Sequence, residues 1–421
     1  MKSIWSRLVQ VSAVVAVCAA QLLQARTLRV LYTLKGSPDG SGGLAAPILD
    51  KQGNLYSTTY AGGVQDWGSV FEVDTHGRET VLHSFVGGKD GTTPTSGLIA
   101  DAGGSLYGTT YWGGSAHCFD GNGCGVVYQL SPGDRGWKET ILYAFKGAAD
   151  GAYPGDGTLV RDAAGNFYGT TLYGGSQDWP NGNGVVFKLT HTSQGWKVRV
   201  LYAFQGKSMS DGATPYGGVT LDAAGNVYGT TYYGGKFGAG TVFKISAKGA
   251  ETVLYNFTGG ADGGDPGSAL IMDATGNLYS TTPFGGDLNC QALYPLGCGT
   301  VFKVDPSGAE TVLHTFIGYP SDGSGPGAPL LWDGAGNLYG TAGGGNSAYC
   351  EDSNNQPMGC GIVFKLDADH NESIVYNFSS GNSGNGPVFP VGVNLIDGSL
   401  YGATAEGGSS KNAGTVFELT K

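Results

Sequence analysis

Six aspartates, each followed by glycine, recur along the chain: Asp39, Asp90, Asp150, Asp211, Asp262 and Asp322, with Asn385 in the seventh equivalent place. Carboxylates gathered in a ring would suit a hard divalent cation, calcium above all, or a basic group. The same residues serve as Asx turns when each Asp bonds its own backbone, and recurrence in every unit favours that use. The expected metal and cofactor set is therefore empty, with calcium as the one ion these aspartates would suit.

A second recurring set is aromatic. Within two residues after a Thr-Thr pair come Tyr60, Tyr111, Trp112, Tyr173, Tyr232, Tyr233 and Phe284. Aromatic faces beside polar groups can stack on sugar rings or grip a peptide, or pack loop against loop. The signatures of a nucleophilic serine or a catalytic zinc are missing: there is no Gly-x-Ser-x-Gly and no His-Glu-x-x-His. His83 and His314 stand where most units carry Tyr, which reads as structural. His76, His117, His191 and His370 fall in loops of different units. A paired-carboxylate glycosidase would have to recruit an acid from the aspartates, Glu351 or Glu406, and no pattern singles one out.

Six of the seven cysteines form local pairs: Cys118–Cys124, Cys290–Cys298 and Cys350–Cys360. In an exported chain such pairs read as disulfides. Zinc would need ligands from separate loops, and only His117 lies beside any of these cysteines. Export is itself legible. Lys2 and Arg7 accompany an uncharged apolar run from Leu8 to Leu23, so residues 1–25 predict a signal peptide cut after Ala20 or Ala25, or an uncleaved anchor. The mature chain is expected to span no membrane, to be a monomer, and to reside outside the cell, in the periplasm or on the cell surface. A net charge of −11 argues against a nucleic-acid partner, which would call for clustered Lys and Arg.

All these residues are carried by one repeat. Asp222-Ala-Ala-Gly-Asn-Val-Tyr-Gly-Thr-Thr-Tyr-Tyr-Gly-Gly235, then Gly240-Thr-Val-Phe-Lys-Ile245, is its clearest copy. Its tyrosine recurs as Tyr56, Tyr107, Tyr168, Tyr228, Tyr279, Tyr339 and Tyr401, at spacings of 51 to 62 residues. Such a period is the mark of a propeller or a solenoid. Each unit holds four short runs rich in β-branched and aromatic residues: in the fourth, 217–222, 226–231, 240–245 and 251–257. Asp222 and Gly225 have the chemistry of a hairpin turn. The last unit stops after its third strand, while a spare strand, Leu28–Leu34, precedes the first. In a ring the two would meet and remove an open edge. Residues 27–421 are thus predicted to form a single all-β domain, a seven-bladed β-propeller of four-stranded antiparallel blades closed by the N-terminal strand.

At Gly-Asn-Leu-Tyr-Gly-Thr-Thr, Gly-Gly and Gly-Thr-Val-Phe-Lys the sequence resembles the GloVer tandem repeat of bacterial exported proteins. The resemblance covers essentially everything after residue 27 and implies a surface or secreted protein, with no activity attached to the repeat itself. Anchored members carry a C-terminal anchor. This chain ends at Leu419-Thr-Lys421 without a hydrophobic tail, which puts such attachment in question.

The loops between second and third strands share one face with the blade connections and vary most in length. Long loops on a rigid frame are where binding concentrates. The two longest, Pro283–Cys298 and Gly343–Cys360, should form a crest holding Tyr294, Tyr349, Glu351 and Asp352. The leading expectation is a non-enzymatic propeller binding an extracellular glycan or protein on this face, through the crest and through Tyr111, Trp112, Tyr173, Tyr232, Tyr233 and Phe284. The alternative is a propeller lyase or hydrolase using a divalent cation at the channel mouth.

Overall fold

The computed structural model describes residues 26–420 apart from 44, 115–117, 119–120, 176–181, 291–295, 347–349, 351–357, 380–389 and 409–410. The expected signal peptide lies outside the described residues. Seven small antiparallel sheets stand as blades around a channel. In blade four the order from the channel outward is Thr220–Leu221, Val227–Thr231, Thr241–Ile245 and Glu251–Asn256.

The turn chemistry sets the register of each inner hairpin. Asp222 Oδ1 accepts the amides of Ala224 at 2.9 Å and Asn226 at 2.8 Å. Its Oδ2 accepts the Asn226 side chain at 2.6 Å and the Tyr228 hydroxyl at 3.1 Å. The repeated tyrosine is therefore fixed at both ends, with its ring packed between strands and its hydroxyl on the turn. The same Tyr–Asp bond occurs in blades one to six.

Blades adhere through a ring of aromatic contacts. The phenylalanine ending each outer strand meets, edge-on, the aromatic of the next blade's third strand. Phe204 lies 5.1 Å from Phe243, and the pairs Phe85–Tyr128, Phe145–Phe187, Phe257–Phe302, Phe316–Phe364 and Phe378–Phe417 repeat it at 4.9–5.2 Å. Each such pair contributes about 0.5–1.5 kcal/mol beyond the area it buries. At the remaining boundary Leu34 takes the place of phenylalanine and clusters with Phe71.

The ring closes as expected. Thr27–Thr33 pairs antiparallel with Thr415–Thr420, Leu28 opposite Leu419, and so supplies the fourth strand of blade seven. The three local disulfides are also present. Among the described residues no helix is long and apolar enough to cross a membrane.

Candidate active site

The channel opens into a cavity of about 1000 Å³ whose wall is built by the inner segments of all seven blades. Most of that wall is glycine, alanine, proline and aliphatic side chain. Asp156 is the one acidic residue among the described residues that line it.

A small irregularity of the repeat puts Asp156 there. In blades two, four and five the inner segment runs seven steps from a proline to the hairpin aspartate: Pro94 to Asp101, Pro215 to Asp222 and Pro266 to Asp273. Blade three takes eight, from Pro154 to Asp162. The extra residue falls in Gly155-Asp156-Gly157. Both glycines press on the backbone of residues 216–218 of blade four, leaving no room for a side chain. Asp156 is thereby fixed between Thr95 of blade two and Tyr216 of blade four.

Asp156 hydrogen-bonds with Tyr216 and faces the hydroxyl of Thr95, a buried group with no other partner. Burial raises the Asp156 pKa, the two hydroxyls lower it, and burial wins. Asp156 therefore keeps its proton to higher pH than a surface aspartate.

Tyrosines surround it. Tyr111 stacks flat on Tyr153, with centroids 4.9 Å apart and planes 6° from parallel, and Tyr153 meets Tyr173 edge-on at 5.9 Å. Tyr232 lies 5.9 Å from Tyr216 and edge-on to Tyr233 at 4.7 Å. Burial, with neighbouring negative groups, pushes the Tyr111 phenol up to about 12 and Tyr216 higher still, so both are neutral donors. Close to Tyr233 is a second unusual acid, Asp265, which burial raises to about 6.

Of the aromatics expected to bind, Tyr111, Tyr173, Tyr232, Tyr233 and Phe284 line the cavity. Trp112 does not; it packs against the core beneath, and its carbonyl accepts the Thr110 hydroxyl at 2.7 Å. Tyr294, Tyr349, Glu351 and Asp352 lie outside the described residues. The repeated aspartates form no ring at the channel mouth, and none of them lines the cavity. Each is held by its own connection and by the outer strand before it. Asp211, for example, accepts the Tyr202 hydroxyl at 2.9 Å and the Gln205 amide at 2.7 Å. Asp150 and Asp262 accept Tyr143 and Tyr255, while Asp90 and Asp322 pair with His83 and His314.

The Gloeobacter/Verrucomicrobia repeat matches residues 20–209 and again 179–350. The chain belongs to that repeat family. No curated protein matches it. Among solved structures, this repeat protein is similar in fold to a gluconolactonase of Xanthomonas campestris, at 15% identity over 76% of this chain and 89% of that one, TM-score 0.42. It is also similar to candidate 6-phosphogluconolactonases of Bacteroides uniformis (13% identity, 87% and 96% covered, TM-score 0.49) and Bacteroides fragilis (16%, 83% and 87%, 0.47). These proteins are described as lactonases, which goes against the expectation of a non-enzymatic binding propeller without assigning their activity to this chain. At such identities the likeness is one of fold, and the chemistry has to come from Asp156 and its surroundings.

In the sequence alone, nothing about Asp156, Thr95 or Tyr216 sets them apart as residue types. The available signal was the extra residue of blade three, at a place where the repeat is otherwise uniform.

Proposed function

We propose that this protein is an exported propeller hydrolase that breaks a C–O bond of a sugar-sized ring in the channel-mouth cavity, with Asp156 as its acid–base group. The carrying observation is the position of Asp156: a carboxylic acid of raised pKa, on a wall otherwise nearly without charge, flanked by two hydroxyls and a set of tyrosines. A concave apolar site with a few converging polar groups and a perturbed acid is the usual form of a catalytic pocket.

The chemistry follows from the protonation state. Protonated Asp156 gives its proton to the departing oxygen as the C–O bond breaks. The resulting carboxylate takes a proton from the attacking water, and the acid is restored. The Tyr216 and Thr95 hydroxyls facing Asp156 favour its carboxylate form, while Tyr111, Tyr173, Tyr232 and Tyr233 offer faces on which a sugar ring stacks. Three disulfides and the export-type N-terminus support a location outside the cell, where extracellular saccharides are the available substrates.

The test is hydrolysis of a panel of nitrophenyl glycosides and sugar lactones by the purified protein and by Asp156→Asn. The isosteric variant should fold normally and lose at least about 100-fold in kcat/KM, the usual scale for a general acid–base group. Undiminished hydrolysis by Asp156→Asn would overturn the assignment.

A further inference from the structure

Far from the channel, at the outer boundary between blades one and two, three side chains point at one place. His83 lies in the outer strand of blade one, Glu79–Ser84, Asp90 in the connection that follows, and Glu139 in the outer strand of blade two, Lys138–Ala144. One ligand atom from each lies within 4.8 Å of the other two, the one such His, Cys, Asp or Glu triad among the described residues. His83 Nε2 stands 3.1 Å from Asp90 Oδ1 and 3.7 Å from Glu139 Oε1. We propose that His83, Asp90 and Glu139 form a binding site for a divalent transition metal, zinc in the first place.

His83 Nε2 and Asp90 Oδ1 share one hydrogen bond, while Glu139 Oε1 is buried beside them with no hydrogen-bond partner, a lone pair that a cation seated among the three would meet.

The spacing also fits. Zinc bonds of roughly 2.0–2.1 Å in a tetrahedron separate ligand atoms by about 3.3 Å, and the observed 3.1 and 3.7 Å fall on either side of that distance. One imidazole with two carboxylates is a donor set that zinc accepts, with the fourth position open to water.

The repeat provides its own control. At four other boundaries a tyrosine stands where His83 does and donates to the connection aspartate: Tyr32 to Asp39, Tyr143 to Asp150, Tyr202 to Asp211 and Tyr255 to Asp262. A protonated phenol is no zinc ligand, so those boundaries hold only a hydrogen bond. His314 and Asp322 also approach to 3.1 Å, but Glu372 does not complete a triad within the same limit.

The experiment is titration of tag-free, EDTA-dialysed protein with zinc ion by calorimetry, with thermal unfolding followed in parallel. One zinc per chain should bind, and the unfolding temperature should rise with zinc. His83→Tyr, which installs the residue that four other boundaries carry, should keep the metal-free unfolding temperature and weaken binding by more than about 100-fold, beyond the loss seen for outer partners of a metal site. Glu139→Gln should weaken binding comparably, and His314→Tyr should leave it unchanged. No zinc uptake by the wild type, unchanged affinity in His83→Tyr, or loss of binding in His314→Tyr would each overturn the site.

Discussion

A Cβ placed on Gly157 would lie 2.0 Å from the backbone nitrogen of Gly218. No flexible side chain can yield at that point, because the opposing atoms are main chain. The inner segments of blades three and four therefore touch backbone to backbone one residue beyond Asp156. That contact turns a one-residue insertion into a rigid mount for a single acid. Gly157→Ala should separate the two segments, destabilise the fold by about 1–3 kcal/mol as overpacking does, and reduce hydrolysis along with stability. Gly334→Ala, where a Cβ meets nothing within 4 Å, is the matched control and should unfold at the wild-type temperature. Equal unfolding temperatures for the two variants would contradict the mount.

Ring closure makes the second prediction. Thr27–Thr33 covers the edge of Thr415–Thr420, with Leu28 opposite Leu419. Removing residues 27–34 uncovers that edge and deprives Phe71 of its neighbour Leu34. The truncated chain should aggregate or unfold at lower temperature in size-exclusion and calorimetric experiments, since an open apolar edge pairs with other chains. A monomer of unchanged stability would count against closure.

The disulfides give a third. Cys118–Cys124, Cys290–Cys298 and Cys350–Cys360 close short loops, with sequence separations of 6, 8 and 10. Chain entropy alone gives each loop about 2–3 kcal/mol. Unfolding monitored with and without reductant should show a clear loss, and mass spectrometry of the oxidised protein should find these three local links. Long-range pairing would show that the blade register is wrong.

Much of the fold was legible because each blade repeats the same physics. Asp222 bonding the turn, Tyr228 bonding Asp222, and Phe204 meeting Phe243 are local or next-neighbour relations, and seven copies make their residue types visible. The site was harder to read for the same reason. Asp211-Gly212 looks alike in sequence whether its carboxylate faces a channel or Tyr202, and only the fold shows the second. Tyr111 and Trp112 are adjacent, equally aromatic and packed against the same core, yet only Tyr111 lines the cavity. Asp156 sits between glycines that resemble an ordinary loop until the next blade's backbone is seen against them.

The last prediction concerns pH. Glu251 and Glu310 begin outer strands, lie half-buried beside Asp211 and Asp262, and have buried Oε1 atoms without hydrogen-bond partners. Burial, then the neighbouring aspartate, raises each from an ordinary 4.5 to about 7. Between those two values the folded protein holds a proton that the unfolded chain has already released. The contribution of these two groups to stability is therefore greatest below about 4.5 and falls as pH climbs towards 7, because ionising them costs more in the folded state, whereas the hairpin aspartates of lowered pKa act in the opposite sense at more acid pH. Glu251→Gln keeps the shape and removes the charge. It should leave the unfolding temperature at acid pH unchanged and raise stability above neutrality by about 1 kcal/mol, a figure reduced for solvent screening of a half-exposed group. The check is calorimetric unfolding of wild type and variant across the range, in chelator to keep metal out. A wild type that gains stability steadily from acid to neutral pH, with Glu251→Gln parallel to it throughout, would show that this carboxyl is ionised in the folded state at no cost.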